Sequence, residues 1–363
     1  MPINVFDFFS GCGGTSQGLK ESGMNIIAGI DIDSNAGKTF KRNFKNATFI
    51  EGSIVDEHIF ETIGELVREV RKDNKPILFT GCAPCQPFSQ QNTTRKQDDT
   101  RRTLLDYFAR YIVKYTPDFI FIENVPGIQK RENPRNEPFF NFLKTLESID
   151  IDSEGQTCKY NYHYEIADCL KYGIPQTRKR LVLIASKITH VEFPEHTHGP
   201  TTDHPEYEKV KDWISKYSPL EHGQEDVNIP NHRAGKLSQK NLERIMDLKH
   251  PGDSRDKWKS GQLSCHTGYN GHMDVYGRMH WDGPAKTLTT KCTSLSNGRY
   301  GHPFQHRAIS VREAAALQTF PDSFVFEGNL QSMTRQVGNA VPPLLAQRFG
   351  EKIIELYEQS KGK

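Results

Sequence analysis

The apolar run Ile3 to Phe9 breaks into Ser10-Gly11-Cys12-Gly13-Gly14, and a helix is predicted from Thr15 to about Glu21. Strand, glycine turn and helix in that order open an α/β unit that can approach a ligand closely. Glycine lets the backbone come near, and the amino end of the helix favours an anion. The pattern is Gly-x-Gly-Gly, short of the full Gly-x-Gly-x-x-Gly of dinucleotide sites, and an ordinary tight turn would use it equally well. The next apolar run, Asn25 to Ile30, ends at Asp31-Ile32-Asp33. An acid roughly 20 positions after a glycine turn is placed to grip ribose hydroxyls. Asp31 takes that role, with Ile32 packing on an adenine face. Asp33 reads as the cap of a helix from Ser34 to Phe44, and Ser34 competes for the capping position.

A third short strand, Ala47 to Ile50, leads to Glu51-Gly52-Ser53-Ile54. A helix near Asp56 to Arg71 follows, its stripe of Ile59, Ile63, Leu66, Val67 and Val70 assigned to the core. Ile77 to Thr80 is a buried strand that runs into Gly81-Cys82-Ala83-Pro84-Cys85-Gln86-Pro87. Prolines on both sides of Cys85 restrict the backbone, so the thiol sits on a fixed corner at the carboxyl end of a strand. Substrates bind at those ends in open α/β sheets, and a nucleophile needs such placement. The alternative is a redox or metal Cys-x-x-Cys pair made of Cys82 and Cys85. Gln90 to Arg102 is a long polar loop carrying Arg95, Lys96, Arg101 and Arg102. It suits a lid over a polyanion, or plain solvated surface. A helix is then expected from about Thr103 to Tyr115. Asp118 to Ile122 is the next strand, ending in Glu123-Asn124-Val125-Pro126. Glu123 points into the same crevice as Cys85, where partial desolvation favours holding a proton. A helix is expected within Glu137 to Ser148.

Tyr162 to Cys169 alternates like a strand, and Leu181 to Ala185 is another. Between them lies Gln176-Thr177-Arg178-Lys179-Arg180. In extended chain Arg178 and Arg180 share a face, from which an arginine can pair with Glu123 and donate to a base carbonyl. After Ser186 the composition turns to His, Pro, Gly, Lys and Asp, marking a second domain. Its scattered histidines fit no metal spacing. Gln239 to Leu248 is a predicted helix. Gly277 to Pro284 leads into Thr287-Leu288-Thr289-Thr290, whose residue types suit phosphates and base edges. Ser310 with Glu313 forms a capping box for a helix to Phe320. Arg335-Gln336-Val337-Gly338-Asn339 precedes a last helix, from Pro342 to about Glu358, with Leu345, Phe349, Ile353 and Tyr357 buried.

The chain's 363 residues suit one large domain plus a smaller one. A net charge of +2 confines any polyanion site to a local patch. No stretch approaches the roughly 20 apolar residues of a membrane span, and the start carries no signal-peptide pattern. Seven cysteines without a disulfide rhythm read as reduced thiols of a cytosolic protein.

In order, these motifs resemble the cytosine carbon-5 DNA methyltransferase family across most of the chain. DFFSGCGGTSQGL from Asp7 looks like its first cofactor motif, PCQPFS from Pro84 its nucleophile motif, and Glu123-Asn124-Val125 its glutamate motif. QTRKR from Gln176 looks like its arginine motif, Gly277 to Thr290 the close of its recognition domain, and RQVGNAVPP from Arg335 its last motif. Two positions depart: Asp31 stands where the family usually has glutamate, and Ile32 where an aromatic is common. The resemblance implies a doubly wound, Rossmann-like α/β sheet dependent on S-adenosylmethionine, with a smaller, irregular target-recognition domain. The catalytic and cofactor-binding domain would be residues 1–186 plus 334–363, with recognition domain and return hinge at 187–333.

It also implies the chemistry. Cys85 would add to carbon 6 of a flipped-out cytosine, Glu123 would serve ring nitrogen 3, and Arg180 would bind the base carbonyl with Arg178 in support. Phe9, Gly11, Cys12, Gly14, Asp31, Ile32, Ser53, Ile54, Leu104 and Asn339 would contact S-adenosylmethionine. Gln86, Ser89, Arg95, Lys96, Arg278, Thr289 and Thr290 would contact double-stranded DNA. No metal is expected, and no membrane. The setting implied is a monomer on DNA in a prokaryotic cytoplasm, with a cognate restriction endonuclease acting separately.

Rival readings each lack something. A redox dithiol needs neither Glu123 nor the arginines, and a zinc site wants a second Cys or His pair. A nicotinamide oxidoreductase leaves Cys85 unexplained. An RNA methyltransferase of the same family typically has a smaller recognition region. A catalytically silent DNA-binding relative would not keep every catalytic position filled.

Overall fold

The computed structural model describes residues 2–82, 104–130, 137–150, 157–201, 203–259 and 274–362. In chain order the first elements are β1 (Asn4–Phe8), α1 (Gly14–Glu21), β2 (Asn25–Asp31), α2 (Ser34–Asn43), β3 (Thr48–Glu51), α3 (Glu57–Arg71), β4 (Ile77–Gly81) and α4 (Leu104–Tyr115). There follow β5 (Phe119–Asn124), α5 (Glu137–Glu147), β6 (Ile149–Asp150), β7 (Thr157–Cys158), β8 (Asn161–Asp168) and β9 (Lys179–Ser186). The helices α6 (Val210–Ile214), α7 (Gln239–Asp247), α8 (Val311–Leu317), α9 (Leu330–Asn339) and α10 (Pro343–Lys361) complete the chain.

Two compact units result. The first comprises residues 1–168, 179–195 and 345–363; the second comprises 169–178 and 196–344.

The first unit holds a seven-stranded sheet in the order β3-β2-β1-β4-β5-β9-β8. β1 to β5 run parallel, and β9 is antiparallel to both of its neighbours. Strand order reverses between β1 and β4, because β2 and β3 lie on one side and β4 and β5 on the other. That reversal is the topological switch point of an open α/β sheet, and the crevice for ligands opens beyond the carboxyl ends there. Phe6 and Phe8 of β1, Phe79 of β4 and Ile120 and Ile122 of β5 face one side, where the buried stripes of α3, α4 and α5 meet them. Edge-to-face rings such as Phe8 with Phe108, 5.0 Å apart, lock this layer. The other face is covered by α1 and α10. Phe121 of β5 meets Phe349 of α10, and Gly350 sits so close that a Cβ would come within 2.5 Å of Ser22 Oγ.

The second unit has little regular structure, so its carbonyls cannot be satisfied by ladders. Buried arginines satisfy them instead. Arg307 is fully buried, forms a two-pronged pair with Glu313 at 2.7 Å on each prong, and donates to Leu220 and Ala308 carbonyls. Arg312 donates to the carbonyls of Pro230, Pro321 and Phe324. A guanidinium carries five donors and suits this work better than any other side chain. Ser310 and Glu313 form the predicted capping box of α8. No helix among the described residues is long and apolar enough to cross a membrane.

Candidate active site

The turn after β1 has left-handed backbone at Phe9 (φ 59), Gly11 (φ 52) and Gly13 (φ 95). At Gly13 a Cβ would lie 2.4 Å from the Phe44 ring, which explains the glycine. At Gly11 a Cβ would meet nothing within 4 Å, so its α-carbon faces an open cradle. The Gly11 N–H donates to Asp31 Oδ2 at 2.8 Å, and the Asp33 N–H donates to Oδ1 at 2.9 Å. Asp31 therefore ties the glycine turn to the tip of β2. Burial raises its pKa against the lowering effect of these bonds. Asp33, not Ser34, caps α2, accepting from Asn35 and Ala36. Ile32 is 73% exposed beside Asp31, a bare apolar platform.

The other residues assigned to the cofactor are less uniform. Gly14 opens α1 and is buried. Cys12 is buried, and desolvation pushes its thiol up to about 12. Ser53 is half-buried, its hydroxyl accepting the Val55 N–H. Ile54 is taken up by the aromatic core, with its carbonyl accepting from Tyr111, so its side chain is not free for a ligand. Leu104 starts α4, half-buried on the same core. Asn339 is the exposed last residue of α9 in the second unit.

Glu123 lies within β5, one residue before its end, and is buried. Arg180 Nε stands 2.8 Å from Glu123 Oε1. That oxygen nevertheless has no aligned hydrogen bond among the described residues. The contact is thus a close ion pair whose N–H is not aimed along the bond, and both groups keep donor and acceptor capacity for a third. Cys82 follows β4. Although the residue is only partly buried, its thiol lies against Thr15 and is pushed well above the ordinary range by burial, then by the charges of Glu123 and Asp7. A redox or metal pair needs a thiolate, and Cys82 is set in surroundings that oppose one. If the chain has the methyl-transfer activity that the motif resemblance implies, Cys82→Ala is expected to keep it within about threefold of the parent in a tritium assay. A loss as deep as that of a Cys85 variant would revive the paired-thiol reading.

The arginine motif divides. Arg180 joins Glu123, but Arg178 spends its donors elsewhere. The backbone turns tightly there, with the Arg178 N–H bonding the Gln176 carbonyl at 2.7 Å. Arg178 is 2% exposed in the second unit and donates to the carbonyls of Leu288 and Ala340. Gln176, which sequence reasoning passed over, is fully buried. It bonds the Gln318 side chain and the backbone of Leu317 and Leu288.

Arg278, expected on DNA, is 1% exposed and donates to the carbonyls of Ile245, Leu248, His302 and Gln305. It is an interior staple of an irregular fold, and burial lowers its pKa to about 10. Thr290 is exposed and Thr289 half-buried. Gly338 packs against their backbone so closely that a Cβ would lie 2.1 Å from the Thr289 carbonyl oxygen. Cys85, Gln86, Ser89, Arg95 and Lys96 lie outside the described residues.

Against known proteins, residues 3–355 match the family model for C-5 cytosine-specific DNA methylases. The type II methylase M.HgiDII of Herpetosiphon aurantiacus is 38% identical over 98% of this chain and 96% of its own length. The type II methyltransferase M1.HphI of Haemophilus parahaemolyticus is 29% identical over 98% of this chain and 88% of its own. Among solved structures, a candidate DNA modification methyltransferase from a prophage in Escherichia coli superposes with a TM-score of 0.70. At 23% identity over 98% of this chain and 99% of that one, it is a likeness of fold. The switch-point crevice, the buried glutamate with its arginine and the full-length match agree. The chain belongs to the C-5 cytosine-specific DNA methylase family and is a DNA cytosine-5-methyltransferase.

Proposed function

We propose that the protein transfers a methyl group from S-adenosylmethionine to carbon 5 of a cytosine flipped out of a specific double-stranded DNA sequence, through a covalent bond to Cys85. The observation that carries this reading is the Glu123–Arg180 pair, 2.8 Å apart, with Glu123 buried on β5, the neighbour of the strand that precedes Cys85 in the sequence, and Arg180 on β9 beyond it. The donor set fits the cofactor. Gly11 leaves an open cradle, Asp31 presents a carboxylate at a strand tip, and Ile32 offers an exposed face. Bound there, S-adenosylmethionine supplies an electrophilic methyl group for carbon 5. Phe9, Cys12, Gly14, Ser53, Leu104 and Asn339 remain further contacts that the family motifs suggest.

The chain's own groups do the rest. Carbon 5 of cytosine is a weak nucleophile within an aromatic ring. Attack of the Cys85 thiolate on carbon 6 forms a C–S bond and turns the ring into an enamine. Glu123 donates its proton toward ring nitrogen 3, so negative charge does not build on the base. Arg180 holds the carboxyl group and donates to the base carbonyl. Once carbon 5 is methylated, loss of its proton breaks the C–S bond and restores the thiolate. A base inside a duplex cannot be reached this way, hence the flip.

Residues 187–333 would read the sequence, and residues 1–186 with 334–363 would perform the reaction. The bacterial relatives named as type II methylases support a restriction-modification role. The protein would protect host DNA as a monomer in a prokaryotic cytoplasm, with a separate cognate endonuclease.

Asp31→Ala is expected to weaken S-adenosylmethionine binding by about 10- to 100-fold, by removing a charge-assisted ribose contact worth roughly 1.5–3 kcal/mol. Titration calorimetry reads this directly, and an unchanged affinity would remove Asp31 from the pocket. Bisulfite sequencing of DNA from cells expressing the protein tests the whole proposal. Protected cytosines should recur in one short sequence, and complete conversion everywhere would refute it.

A further inference from the structure

Arg278 is buried, but what it holds in place is exposed. Its guanidinium gathers two segments of the second unit. One is the carboxyl end of α7, bound through the carbonyls of Ile245 and Leu248. The other is the loop from His302 to His306, bound through the carbonyls of His302 and Gln305 and through His306 Nδ1. The loop is tied from within as well. His302 Nδ1 accepts the N–H groups of Phe304 and Gln305, while Gln305 Oε1 accepts from the Leu220 N–H and from Arg307 Nε. At the middle of this fixed loop Phe304 is 54% exposed, its ring edge-to-face with Trp281 at 5.1 Å. Met246, also exposed, lies on α7 between the two carbonyls that Arg278 holds.

A lone exposed apolar side chain is ordinary on a protein surface. Two further observations set this one apart. The first is rigidity. A loop with so many anchors presents its ring in one place, so little ordering entropy is lost when a partner covers it. The second is charge. Arg278 donates to carbonyls and a ring nitrogen, with Asp253 acting on it from farther off, and Lys249 Nζ donates to the Met246 carbonyl. Burial, then the charges of Arg278 and Lys249, lower the pKa of His306 in the same loop, against Glu221. The field around the loop is therefore positive. Apolar surface in a positive field suits a polyanion that also carries apolar groups. Duplex DNA offers sugars and thymine methyl groups beside its phosphates.

We propose that Phe304 is a DNA-contacting residue, its ring packed on apolar groups of the duplex while Lys249 meets a phosphate beside it. The inference rests on the reading of residues 187–333 as the part that engages DNA. Arg278 then serves DNA at one remove, by fixing the loop that makes the contact.

The test is binding by the whole protein to a duplex carrying a cytosine that bisulfite sequencing shows to be modified, followed by fluorescence anisotropy across a salt series. Phe304→Ala should weaken binding about tenfold, the expected effect of returning a ring face to water. It should leave the slope of log Kd against log salt unchanged, because a phenyl ring releases no counterion. Lys249→Ala should weaken binding and reduce that slope by about one. Val227→Ala is the control. Val227 is 88% exposed but follows Glu225 and Asp226, so its truncation should leave binding as in the parent. Parent-like affinity in Phe304→Ala overturns this inference and leaves the proposed function standing. So does a weakening that reduces the salt slope, or a loss of self-association in the ultracentrifuge in place of a loss of DNA binding, which would make the face a contact between copies. A parent that binds no duplex and modifies no cytosine overturns the reading beneath it. Should Phe304→Ala not fold, the parent decides: photo-crosslinking to a duplex with bromodeoxyuridine in place of thymidine should label the peptide containing Phe304, and labels confined to other peptides are the contrary result.

Discussion

Replacing Cys85 with alanine is expected to reduce methyl transfer by more than about 10³-fold while duplex binding stays within about twofold. The size follows from covalency. Without a bond to carbon 6 the ring does not become an enamine, and neither Glu123 nor Arg180 can create that nucleophile. On the proposed reading binding survives, because residues 187–333 would supply the contacts to phosphates and base edges. The placement argument is topological. β4, the strand that precedes Cys85 in the sequence, stands at the strand-order reversal beside β1. Tritium incorporation and gel-shift titration on one preparation separate the two effects. A variant that still transfers at a near-parental rate would take Cys85 out of the reaction.

The second large effect is structural. Glu313→Ala is expected to cost roughly 3–5 kcal/mol, because it leaves Arg307 buried and uncompensated, and a further ~1 kcal/mol for the lost α8 cap. Both carboxylate oxygens are bonded to Arg307 at 2.7 Å, and the Ser310 N–H donates to one of them. Burial alone would raise the Glu313 carboxyl, yet the Arg307 bonds and charge, with His302, outweigh it and hold it below its usual range. A depressed folded-state pKa gives stability that is present above the unfolded carboxylate range and lost as pH falls below it. Urea unfolding at pH 7 and at about pH 4 should therefore show the variant's deficit shrinking in acid. A deficit below about 1 kcal/mol at neutral pH would show that the pair is not holding the second unit. Replacing both residues with apolar side chains of similar volume should recover much of the loss.

The first unit was largely legible in the sequence because its strands are short apolar runs and its helices carry clear stripes. Ile77 to Thr80 and the stripe of α3 fall where periodicity puts them, within a residue or so. Asp31 and Glu123 were legible for the same reason: a polar residue at the end of an apolar run sits at a strand tip. The second unit was less readable. Its arginines look like any surface or DNA-binding arginine in a string of letters, and nothing local says that Arg278 spends its donors on four carbonyls distant in sequence. Arg178 reads as a second arginine of the crevice, yet its donors go to the carbonyls of Leu288 and Ala340, partners more than a hundred residues away that no local pattern names. The helix α9 went unnoticed because Arg335 to Asn339 reads as a binding motif. Gly338 within it answers to the backbone of Thr289, a contact no local pattern discloses.

The proposed reaction turns on a transient carbon–sulfur bond between Cys85 and a flipped cytosine. A duplex carrying 5-fluorocytosine at the target position cannot lose its carbon-5 substituent as a proton, so the bond cannot be released after methylation. Incubated with the protein and S-adenosylmethionine, it should give a complex stable to denaturing electrophoresis, with the modified peptide mapping to Cys85. A full occupancy of DNA and cofactor with no such adduct, or an adduct at another residue, would contradict it.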